Sequence, residues 1–183
     1  PRNVTAWLDL GFCWKHRQDP DRAIACFHEA ARLNPRYAPP WYNLGDLRQT
    51  QGDLLGAMRC FEQAIERDAR HAAALNSLAW ILSAGPVEFR DGKRAIELAT
   101  RACEASRWNE PNFIDTLAVA HAAAGDFAKA IELQNRALNL PNIEMRGGPQ
   151  MRKQRELFQQ GQPYTEPGLA QRTPELAPPP RSR

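Results

Sequence analysis

Four histidines and four cysteines are the residues best equipped for metal binding or nucleophilic chemistry, and their spacing argues against both. His16, His28, His71 and His121 fall at unrelated intervals, without the two paired ligand spacings of a metal site. Cys13, Cys26, Cys60 and Cys103 form no C-x-x-C element, and the lone C-x-x-H, Cys13-Trp14-Lys15-His16, has no second pair to complete a ligand set. Neither a glycine-rich phosphate loop nor a nucleophile elbow occurs. The expectation is a non-catalytic chain without metal or cofactor, its thiols free and packed as small apolar groups. What remains to do chemistry is non-covalent: aromatic rings, amides and isolated carboxylates able to grip another chain.

Charge narrows the partner. Residues 1–141 hold 17 basic and 17 acidic side chains, and the net charge of +3 comes from the last 42 residues. A basic stripe for nucleic acid is therefore missing from the body of the chain, and RNA binding is the weaker alternative. No apolar run reaches the roughly 18 residues of a membrane span, and no signal peptide is visible. Free thiols suit a reducing compartment, so the cytoplasm is the expected location. The chain opens at Pro1 with helical residues such as Trp7 following at once. That reads as a fragment or processed chain, which leaves export open and leaves an N-terminal face that self-association could cover.

The elements that position these groups repeat. Trp7, Leu10, Gly11, Ala23, Phe27 and Ala30 recur 34 residues later as Trp41, Leu44, Gly45, Ala57, Phe61 and Ala64. From the small residue of one helix to the first alanine of the next is 12 residues for Gly11–Ala23, Gly45–Ala57 and Ala118–Ala130, but 16 for Ala79–Ala95. The third unit thus carries four extra residues between its helices, within Ala84–Gly92. A 34-residue period means two antiparallel helices per unit, stacked side by side.

These residues resemble the tetratricopeptide repeat, whose pattern stands here as Trp7-x2-Leu10-Gly11-x2-Trp14, Ala23, Phe27, Ala30 and Pro35. The resemblance implies an all-α fold, a right-handed α-solenoid of four helix-turn-helix units (4–37, 38–71, 72–110 and 111–142). Leu78-Ala79-Trp80, Arg90-Asp91-Gly92 and Ala123-Ala124-Gly125-Asp126-Phe127 are also similar to a bacterial, planctomycete-like subtype of the family. Beyond the array, residues 149–161 read as a C-terminal capping helix, because Met151, Leu157 and Phe158 alternate with charges. Residues 164–183 read as an extended or disordered tail rich in proline and arginine.

In this family the first helices of successive units line a concave groove, and the contact slots fall three before, one after and four after the small residue. Carried onto this chain, those slots place Leu8, Phe12, Tyr42, Asp46, Gln49, Asn76, Trp80, Asp115 and Val119 in the groove. The family's carboxylate clamp is not expected, since Leu8, Ala73 and Ser77 stand where cations would be required. The resemblance implies a protein-interaction scaffold that binds a peptide or partner segment. The alternatives are an accessory module of a larger multidomain enzyme or signalling protein, and helical-repeat RNA binding.

Overall fold

Each second helix begins on an aspartate whose carboxylate accepts a hydrogen bond from the backbone N–H three residues on. Asp19 caps at Arg22, Asp53 at Gly56, Asp91 at Arg94 and Asp126 at Lys129, at 2.8–3.1 Å. In the computed structural model, which describes residues 3–170, these caps open α2 (Pro20–Leu33), α4 (Leu54–Arg67), α6 (Gly92–Ala105) and α8 (Phe127–Leu138). The first helices are α1 (Val4–His16), α3 (Ala38–Thr50), α5 (Ala72–Ala84) and α7 (Pro111–Ala123). α9 (Gly148–Gln159) and a single turn, α10 (Pro167–Ala170), follow, and no strand occurs among the described residues.

Turn chemistry makes the helix pairs. Gly52 and Gly125 both adopt φ of +86° between paired helices, a region in which only glycine escapes a Cβ penalty. Gln18 occupies the same slot in the first unit and adopts φ of +59° nonetheless. Helix pairs α1–α2, α3–α4, α5–α6 and α7–α8 pack internally, and α2–α3, α4–α5 and α6–α7 join successive pairs. The result is an α-solenoid.

Small residues set the spacing inside a pair. A Cβ on Gly11 would lie 2.4 Å from the Phe27 ring, and one on Gly45 would lie 2.6 Å from the Phe61 ring. Both rings are fully buried. The third unit has Ala79 facing a second helix whose aromatic slot holds Ala99, and the fourth has Ala118 with Gln134 in that slot. A larger residue on the first helix is thus matched by a non-aromatic one on the second, as conserved packing volume requires.

Apolar positions at intervals of three and four drive the second helices inward. In α4 these are Ala57, Cys60, Phe61 and Ala64, and in α6 Ala95, Leu98, Ala99 and Ala102. Cys26, Cys60 and Cys103 are buried as free thiols, and burial pushes the Cys103 thiol up to about 12. α9 packs on α8 through Met151 and Phe158, which closes the end of the last pair.

Candidate interaction groove

The first helices present one common surface. A pocket of about 280 Å³ opens on it, lined by Gln49 of α3, by Asn76, Ser77 and Trp80 of α5, and by Asn112, Asp115 and Thr116 of α7. Four residues expected in the groove (Gln49, Asn76, Trp80 and Asp115) are brought together here. Their slots repeat once per helix pair, so stacking the pairs aligns them. The Oδ1 atom of Asn76 is buried and has no hydrogen-bond partner among the described residues.

Asp115 is the electrostatic centre of this surface. It is buried, and the Gln134 amide donates to its carboxyl at 2.7 Å while also reaching the Met151 carbonyl and the Gln154 side chain. Burial raises its pKa to about 7, partly opposed by the hydrogen bond from Gln134. The site can therefore present a neutral acid or a carboxylate near neutral pH. Sequence reasoning missed Gln134, although a glutamine standing in the slot of Phe27 and Phe61 was a visible departure.

The other expected residues go elsewhere. Tyr42 lies between Phe61 and His71, with ring centroids 5.9 and 5.1 Å away, and ties α3 to α4 and the start of α5. Asp46 is held by Lys15 of α1 in an inter-helix ion pair. Phe12 packs edge-on against Phe27 and keeps 40% of its surface exposed. Leu8 and Val119 do not line an open groove. Leu8 is 7% exposed and joins Phe27, Leu44 and Leu47 in the first core cluster, and Val119 has no exposed surface. The cause at Val119 is enclosure, since α7 is contacted by α5, α6, α8 and α9 at once.

The segment after α9 also departs from the expectation of a free tail. Tyr164 and Leu169 are buried, and the Tyr164 ring sits 5.9 Å from that of Trp80. The Glu166 N–H donates to the Ala84 carbonyl at 2.8 Å, and Arg90 donates to the Thr165 hydroxyl at 2.5 Å. Apolar anchors five residues apart with a backbone hydrogen bond between them hold this stretch down. The prolines that suggested disorder instead frame it, and the remainder, 171–183 with its Pro178–Pro180 run, lies outside the described residues.

Among the described residues no group of three or more His, Cys, Asp and Glu could hold a metal ion, and no helix is long and apolar enough to cross a membrane. Repeat geometry, capping and slot-by-slot packing are thus the defining features. Residues 4–37 match the tetratricopeptide repeat profile, and so do residues 38–71. Residues 4–71 thus match two successive tetratricopeptide repeats.

Solved tetratricopeptide structures agree with the architecture. MamA from Desulfovibrio magneticus RS-1 is 16% identical with a TM-score of 0.65, over 86% of this chain and 90% of that one. Pseudomonas aeruginosa PilF is 21% identical with a TM-score of 0.65, over 86% of this chain and 72% of its own. YrrB, a TPR protein with an unusual peptide-binding site, is 15% identical with a TM-score of 0.66, over 87% and 84%. At these identities the likeness is one of fold. No curated protein matches the sequence.

Proposed function

We propose that this tetratricopeptide array is a protein-interaction scaffold that grips an extended segment of a partner protein on its first-helix groove. The observation carrying this reading is the pocket shared by α3, α5 and α7, where Gln49, Asn76, Ser77, Asn112 and Thr116 surround the Trp80 indole. Amides and hydroxyls can pair with the donors and acceptors of an extended backbone, while one desolvated aromatic supplies contact area. YrrB, similar in fold, is known for a peptide-binding site of its own. Three buried free thiols fit a reducing compartment.

The test is affinity capture from nuclease-treated lysate by the wild-type chain and by a Gln49→Ala/Asn76→Ala variant of equal helicity. The reading expects a protein retained by the first and lost by the second. Capture abolished by nuclease in both would favour RNA, and equal capture would move the interface off this groove.

A further inference from the structure

The third unit's insertion and the tail meet. The extra residues within Ala84–Gly92 include a 3-10 turn at Val87–Phe89, and they follow directly on the C-terminal end of α5, where the carbonyls of Ala84 and Gly85 have no intrahelical partner. Arg90 folds back so that its Nε donates to the Gly85 carbonyl at 2.9 Å, which aims its Nη2 at the Thr165 hydroxyl. The Ala84 carbonyl accepts the Glu166 N–H, one of the contacts by which an edge takes up an extended peptide. On one side of this anchor Tyr164 is buried against Trp80, its hydroxyl accepting from Gln150 and donating to Glu166. On the other side Leu169 is buried, and with Glu166 and Gly168 it faces Gln49, Thr50 and Trp80 across a space of about 250 Å³. The segment therefore runs from α9 across α5 to α3, in contact with Trp80.

We propose that Trp80 together with the Ala84–Arg90 insertion forms a peptide-binding site, and that Tyr164–Leu169 is its resident ligand, bound in cis. The ligand chemistry is read from the occupant: an aromatic residue, a carboxylate two positions later and an aliphatic side chain five positions later, in a stretch that ends in the single helical turn α10, which opens at Pro167. Three independent features converge on it, namely a buried aromatic contact, a main-chain hydrogen bond and an arginine fixed by its own loop. A four-residue insertion absent from the other three units supplies the arginine and its loop. A partner segment of the same chemistry, from another protein or a second copy of this chain, binds by displacing the tail. Tethering sets the barrier, because a ligand joined by a short linker competes at an effective concentration on the order of millimolar. This inference rests on the groove reading only in that partner and tail share Trp80.

The test uses a fluorescein-labelled synthetic peptide with the sequence of residues 161–170 and follows its anisotropy with full-length protein. The wild-type chain is expected to bind it at least tenfold more weakly than a Tyr164→Ala/Leu169→Ala variant, whose site is vacated. Adding Trp80→Ala to that variant is expected to abolish binding, as is replacing tyrosine by alanine in the peptide. Equal binding by wild type and variant, or binding indifferent to Trp80, would overturn the proposal. Hydrogen exchange on the unmodified chain keeps the question open to refutation should the variant unfold. The Glu166 amide should exchange at least tenfold more slowly than its intrinsic rate, with protection lost in Arg90→Ala, and an unprotected amide sinks the proposal. No outside partner enters this experiment, so its failure leaves the groove reading standing, and a failed lysate capture leaves this one standing.

Discussion

The Gln134 side chain donates a hydrogen bond to the Asp115 carboxyl across the α7–α8 interface, at 2.7 Å and with both residues buried. Units one and two place a phenylalanine where Gln134 stands. The exchange of a ring for an amide lets the last repeat keep an acid beneath its groove surface, and it makes the stability of that repeat depend on pH.

Asp115 has a folded pKa near 7, raised by burial above its ordinary value of 3.8. A carboxyl raised in the folded state binds its proton more tightly there than when unfolded, so its contribution is fully present below about pH 4. That contribution is lost as pH climbs through 7. Between pH 5 and pH 8 the wild type should lose about 2–3 kcal/mol relative to Asp115→Asn, whose neutral amide does not titrate. Urea unfolding of both proteins at the two pH values measures this, and parallel pH profiles would refute it.

Gly45→Ala drives a methyl group to within 2.6 Å of the Phe61 ring. The expected cost is about 1–3 kcal/mol, because a buried ring between two helices has nowhere to retreat. Combining it with Phe61→Leu, which frees ring volume at that contact, should cost less than the two single changes added together. Denaturant midpoints for the three variants decide the matter, and strict additivity would argue against a direct clash.

Gln18 holds φ at +59° in the turn where Gly52 and Gly125 hold +86°. A left-handed non-glycine residue carries a penalty of about 1–2 kcal/mol, of which glycine's greater unfolded-state freedom returns about 0.5–1. Gln18→Gly is therefore expected to stabilise the first unit by up to about 1 kcal/mol. A lower thermal midpoint would show that the glutamine side chain contributes more than its backbone costs.

Cys13 is the exposed thiol, while Cys26, Cys60 and Cys103 are buried with pKa values raised by desolvation. A thiol-reactive chromophore should modify one group per chain rapidly in the native state, and all four only in denaturant. Cys13→Ala should remove the fast phase. Two or more fast thiols would mean that α2 or α4 opens far more readily than its packing suggests.

The groove shows how far slots alone can carry a reading. Gln49, Asn76, Trp80 and Asp115 meet around one pocket, as slots three before, one after and four after the small residue imply, because repeated units stacked in line bring equivalent slots onto one face. Leu8 and Val119 share those offsets and are buried. An offset reports which way a side chain leaves its helix, not what already covers that direction.

Local chemistry was readable from the chain itself. The 34-residue period, the aspartate caps, the turn glycines and the apolar spacing of the second helices each act within about one helix pair, and an all-α solenoid follows from them. Contacts between distant segments were decided only on folding. Gln134 finds Asp115, and Tyr164 with Glu166 reaches back to Trp80 and Ala84, because stacking the pairs and turning the chain at α9 bring them into range. Nothing in the residues near Tyr164 encodes that meeting. It depends on the summed geometry of the helices between, and in particular on the lengthened loop of the third unit, whose Arg90 meets the tail beside the C-terminal carbonyl of α5.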